Sequence, residues 1–196
     1  MAESALEREL REVRGLTEWV RQRLYEVPEG GWRSAATTAV AAAAAQETYR
    51  LADRVPSLGN QVGQVWRGHL DRVWTFLEGD RSQHYALSHA LADFLTSPLN
   101  HTEGQDGPDD FDRPQTVASY SAVASVIMWG VDFATVAVGQ VFECMDIMFE
   151  GEFPDERIAE VSSATARIRE IVARVVEVSG PGRPGLTPEL LAAIRS

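Results

Sequence analysis

Three carboxylates, Glu143, Asp146 and Glu150, recur at i, i+3 and i+7 and therefore share one helical face. Helical bundles bind metals on such faces when each Glu is followed three residues on by a histidine and the unit repeats. No Glu-x-x-His occurs here, so the set reads as a solvated edge with Arg167, Arg169 and Arg174 as candidate partners. The four histidines are as scattered: His89 and Asp93 are four apart, while His84 lies five residues before His89, off that face. His69, beside Leu70 and near Trp66 and Trp74, reads as a hydrogen-bonded structural residue, and His101 sits in an acidic segment. A zinc site would have to be gathered from distant members of this set. The single cysteine, Cys144, lies in the apolar run VGQVFECMDIMF with no histidine nearby to activate it. It reads as a small buried hydrophobe and excludes an intramolecular disulfide.

The strongest local signal is the segment 100–114, NHTEGQDGPDDFDRP, which carries Glu103, Asp106, Asp109, Asp110 and Asp112 against one arginine, Arg113. Loops this long inside a compact domain are uncommon and are usually functional or disordered. Calcium coordination through Asp106, Asp109, Asp110 and Asp112 does not fit the twelve-residue pattern, and Pro108 interrupts it. The remaining readings are a solvated loop and a docking surface for a basic partner, since crowded carboxylates suit electrostatic steering.

The totals agree with that sign. Eighteen basic residues, all arginine, face 29 acidic ones, giving a formal net charge of −11. Such a field repels nucleic-acid backbones and anionic lipid, so neither is an expected partner. The N-terminal residues are charged from Glu3 onward and lack an apolar signal core. The longest uncharged stretch, Thr116 to Val131, falls short of the roughly 20 apolar residues that span a bilayer. The expectation is a cytoplasmic protein with no cofactor.

The elements around these residues read as helices. Leu6, Leu10, Val13, Leu16, Val20 and Leu24 form one apolar stripe over 1–27, ended by Pro28-Glu-Gly-Gly31. Ser34 is placed to cap a second helix reaching about Val55, with Ala35 to Ala45 as a tightly packed central run. Gln61 to Glu78 buries Val62, Trp66, Leu70, Val73, Trp74 and Leu77, and Ser82 to Leu95 buries Ala86, Leu87, Ala90, Leu91 and Phe94. The stretch Gln115 to Phe149 is too long and too apolar for one exposed element. A break is expected near Gly130-Val-Asp132, with Asp132 capping the second half. Asp155 opens a helix to Val178 with Ile158, Val161, Ala164, Ile168, Ile171, Val175 and Val178 inside. Residues 180–185 (GPGRPG) read as a flexible linker, and Thr187-Pro188-Glu189 signals a terminal helix over 187–195. No strand pattern or repeat is present. The prediction is an all-α, single-domain bundle over 1–196 of about seven to eight helices, with its core over 35–178 and one long acidic loop.

Tyr49, Pro56, the helix QVWRGHLDRVWTFLEG with Trp66, Leu70 and Trp74, the Asp109-Asp110-Phe111 run and the Ala-rich paired helices that follow carry a resemblance. Over about Ala35 to Val178 the chain resembles the YjaG-like family of uncharacterised bacterial all-helical proteins. It is also similar to small helical immunity proteins of toxin systems. The resemblance implies a helical fold and brings no catalytic residues. Ala41 to Ala45 depart from the aromatic and cysteine content usual before the tyrosine.

No nucleophile elbow and no phosphate-cradling glycine loop occurs. The expected function is therefore a non-enzymatic acidic protein that binds a cationic protein partner, as an immunity or antitoxin-like inhibitor binds a toxin. Glu103, Asp106, Asp109, Asp110 and Asp112 are the expected acceptors. One alternative is an enzyme or small-ligand protein with a site in the bundle core, using Glu143, Asp146, His69 or His89. A second is a self-assembling subunit, with Trp66/Trp74 or the Leu6 to Leu24 stripe as a homodimer face.

Overall fold

The computed structural model describes residues 5–58, 61–96, 113–152 and 154–196. Eight α-helices and no strands occupy them: α1 (Ala5–Tyr25), α2 (Gly31–Ala52), α3 (Gln61–Leu77), α4 (Gln83–Thr96), α5 (Pro114–Met128), α6 (Val131–Met148), α7 (Asp155–Val178) and α8 (Pro188–Arg195). A single 3-10 turn, Pro56–Leu58, follows α2. No helix among the described residues is long and apolar enough to cross a membrane. The acidic side chains Glu103, Asp106, Asp109, Asp110 and Asp112 lie outside the described residues.

Helix α2 is the axis of the molecule. It lies against both α5 and α6, with α3, α7, α8 and α1 around them. Residues Ala39 to Ala45 are all buried. With methyl groups as the only side chains along most of that run, neighbouring helices can sit at the short end of the usual interaxial distances. The same core takes Leu16, Val20 and Leu24 from α1, Trp74 from α3, Leu87 from α4 and Leu191 from α8.

The α5–α6 break falls at Trp129-Gly130, where Trp129 takes a left-handed conformation (φ 58°, ψ 25°) and Gly130 is the N-cap of α6. Asp132 does not cap. It sits in the first turn of α6, where the helix dipole favours a negative charge, and pairs with Arg21 of α1 at 2.9 Å. Ser34 likewise does not cap α2, which starts three residues earlier, after Gly30 (φ 92°). A glycine at that φ turns the chain without Cβ strain, so the helix can begin as soon as Pro28 is passed. Arg33, brought inside the helix, reaches back to close α1: Nε donates to the Val27 carbonyl (2.9 Å) and NH2 to that of Tyr25 (3.2 Å).

Two further expectations are corrected. On α7 it is Arg157, 2% exposed, that turns inward, while Ile158 is 46% exposed. The segment 180–185 is no free tether. Arg183 donates to the carbonyls of Val176 (2.7 Å), Glu177 (3.1 Å) and Ser179 (3.3 Å), and the Gly185 amide donates to the Val178 carbonyl (2.9 Å). The Thr187 cap is as expected: its hydroxyl accepts from the Leu190 amide at 3.3 Å.

Candidate functional site

The α6–α7 turn gathers acid without base. Between Glu143 and Glu156 the chain carries Glu143, Asp146, Glu150, Glu152, Asp155 and Glu156, all exposed, and no arginine. The local backbone explains the projection. Helix α6 ends with Glu150 (φ 53°) and Gly151 (φ 75°) both left-handed, and the Gly151 amide donates to the Asp146 carbonyl at 3.0 Å. Two successive left-handed residues turn the chain sharply, which is routine for glycine and uncommon for a glutamate.

The arginine that follows is engaged internally. Arg157 donates to Glu9 through Nε (2.9 Å) and NH2 (2.7 Å), and to Asp146 (3.1 Å) and the Glu152 carbonyl (3.0 Å) through NH1. Of the arginines expected to neutralise this edge, none does so. Arg167 lies 3.6 Å from buried Glu47, Arg174 pairs with Glu170, and Arg169 stacks on Trp19. Among the described residues Glu143, Glu150, Glu152, Asp155 and Glu156 have no ion-pair partner. Exposed Ile147 and Ile158 flank the turn on either side, so apolar surface lies within the acidic rim.

The residues named for a core site do not converge. Glu143 and Asp146 are on the exposed face of α6, whereas His69 and His89 line a groove between α3 and α4 with Trp66, Arg72, Tyr85 and Asp93. There the His69 ring lies edge-on to Trp66 at 5.2 Å, and the His89 ring packs on Tyr85 at 4.5 Å. Burial, helped by Arg72 and opposed by Asp93, holds the His69 imidazole below its usual pKa, which favours the neutral ring. No group of three or more His, Cys, Asp or Glu side chains among the described residues is placed to hold a metal ion. Cys144 is buried with Sγ 3.8 Å from the Thr48 carbonyl, and burial pushes its thiol up to about 12. A thiol so placed is a poor nucleophile.

The faces suggested for self-association are used inside the chain. Trp66 and Trp74 are buried, as are Leu16, Val20 and Leu24, although Leu10 is exposed.

A cavity of about 560 Å³ opens at the end of the bundle where α2 and α4 begin and α3 and α5 end. Trp32, Phe76, Leu77, Val126, Trp129 and Leu186 supply its apolar walls, and Ser34, Thr38, Arg81, His84 and Ser179 its polar ones. Nothing in the sequence pattern signals it, because its lining comes from five separated stretches. Compared with known proteins, the chain matches no family model, no curated protein and no solved structure.

Proposed function

We propose that this protein is a non-enzymatic binding protein that docks a cationic protein partner, in the manner of an immunity or antitoxin-like inhibitor. The reading rests on one observation: the α6–α7 turn exposes six carboxylates, five of them without an ion-pair partner among the described residues, while the arginine that follows them in sequence, Arg157, is buried against Glu9 and Asp146. A rim of unpaired charge around Ile147 and Ile158 gives a cationic surface both a steering field and an apolar contact. The loop acids Glu103, Asp106, Asp109, Asp110 and Asp112 carry the same sign, as does the net charge of −11. The resemblance to helical immunity proteins points the same way.

The test is capture from the native host at low and high salt, followed by association kinetics with the purified partner. The expected partner is a basic protein released at high salt. Neutralising Glu150, Glu152, Asp155 and Glu156 together is expected to slow association and flatten its salt dependence. The same experiment on Asp109, Asp110 and Asp112 measures the share of the loop. A partner whose association ignores salt and both sets of substitutions would overturn the reading.

A further inference from the structure

The cavity at the end of the bundle shares no lining residue with the acidic corner. In a chain with 29 acidic residues, no Asp or Glu lines it among the described residues. Its one formal charge is Arg81, whose guanidinium is held over the Phe76 ring at 4.5 Å and pairs with no carboxylate among the described residues. The adjacent carboxylate, Asp80, is committed to the start of α4. It accepts from the Ser82 hydroxyl (2.6 Å), the Gln83 amide (2.8 Å) and the Ser82 backbone N–H (3.0 Å), bonds that hold its pKa below the usual range. The first turn of α2 meets the same cavity at Gly30 and Gly31, and no side chain caps it. Its free amides add positive potential there.

The apolar part is aromatic. Trp129 is 69% exposed, and its indole N–H donates to the Val126 carbonyl at 3.0 Å, fixing the ring at the cavity edge. It holds a left-handed backbone position that glycine occupies at least cost, so the largest side chain stands where the smallest fits best. Strained residues of this kind cluster at ligand-binding sites. Trp32, also exposed, lines the cavity with it. The volume falls within the range of small-molecule pockets, and two indoles favour a flat, apolar guest.

We propose that this cavity binds a small aromatic carboxylate, its ring system against Trp32 and Trp129 and its anionic head at Arg81, His84 and the open turn of α2. The probe is 2-naphthoate, titrated by calorimetry against the full chain, with 2-naphthalenemethanol as the uncharged control. Naphthoate is expected to bind saturably at one site, and the alcohol at least about tenfold more weakly, the loss of one charge-assisted hydrogen bond. Arg81→Ala is expected to bring the acid down to the alcohol and leave the alcohol unchanged. Trp129→Gly is expected to weaken both ligands without lowering the urea midpoint, since glycine relieves the left-handed strain. Absence of saturable binding overturns the site. Equal affinities for acid and alcohol, or indifference of the acid to Arg81→Ala, overturn the carboxylate assignment. Full binding by a folded Trp129→Gly variant overturns the location.

Discussion

Arg157 and Glu9 stand 148 residues apart in sequence and form a two-pronged ion pair, Nε to Oε2 at 2.9 Å and NH2 to Oε1 at 2.7 Å. Arg157 is nearly solvent-free and Glu9 close to it, with 2% and 11% of their side-chain surfaces exposed. The pair ties α1 to the start of α7 beside the acidic turn. A fork of parallel N–H donors on a carboxylate adds geometric specificity to charge, which lysine does not supply.

Breaking that pair from one side leaves a buried charge without compensation. Arg157→Ala is expected to cost about 3–5 kcal/mol. The double variant Arg157→Met, Glu9→Leu is expected to recover most of that loss, because it removes both desolvated charges together. Urea midpoints of the two variants and the parent measure both values. A loss below about 1 kcal/mol in Arg157→Ala would mean that the pair behaves as a surface salt bridge.

The fold was largely legible in the sequence because its signals are local. Thr187-Pro188-Glu189 announces α8 within three residues, and the Trp66, Leu70, Val73 and Trp74 spacing announces the buried face of α3. The failures occur where a distant partner decides. Apolar spacing alone places Ile158 inside α7, but Glu9 and Asp146 make Arg157 the better buried neighbour. Ser34 has the chemistry of a cap, yet the left-handed Gly30 starts α2 earlier. Of the candidate site, the Glu143, Asp146 and Glu150 face was visible as a pattern. That Arg157 would pair with Asp146 while Glu143 and Glu150 stay without a counter-ion among the described residues was not, since Arg167, Arg169 and Arg174 pair or stack elsewhere. The aromatic cavity depends on a tertiary meeting of helix ends from five separated stretches, which no periodicity encodes.

High pH is expected to weaken the fold through two buried groups. Burial pushes both the Tyr49 hydroxyl and the Cys144 thiol up to about 12, and for Tyr49 it outweighs the opposing hydrogen bond from Ser119 and the charge of Arg67. The unfolded chain releases these protons from about pH 8.5 for the thiol and about pH 10 for the phenol. Over that window the unfolded state binds fewer protons than the folded one, so stability is full at lower pH and falls as pH rises toward 12. The slope approaches about 1.4 kcal/mol per pH unit for each group titrating in the unfolded state only. Urea unfolding between neutral and alkaline pH measures it. Cys144→Ala should remove the part of the decline that begins first, and an unchanged profile in that variant would exclude the thiol as its source.

The alanine run of α2 is expected to be intolerant of added volume. Ala42 is fully buried in the helix that α5 and α6 pack against, so Ala42→Leu should cost about 1–3 kcal/mol through overpacking. Ala173→Leu, on the exposed face of α7, serves as the control and should stay within about 0.5 kcal/mol of the parent. Similar urea midpoints for the two variants would show that the α2 contacts have slack that close helix packing does not allow.

Arg183 is expected to be the main fastening of the chain beyond α7. Its NH1 group meets the carbonyls of Val176, Glu177 and Ser179 at the end of α7, where that of Val176 also accepts from the Ser179 amide at 3.3 Å, and so supplements the C-cap. Helix carbonyls also carry the negative end of the dipole, so a guanidinium there gains from both hydrogen bonding and charge. Arg183→Ala should cost about 1–3 kcal/mol, the range for hydrogen bonds to a charged donor. Hydrogen exchange should localise the effect, with the Gly185 amide, which donates to the Val178 carbonyl, and the amides of α8 losing protection first. Arg183→Lys separates charge from shape: a single ammonium keeps the dipole interaction but loses the spread of the guanidinium, so partial rescue is the expected result. Full protection at Gly185 in Arg183→Ala would mean that the turn holds through its backbone alone.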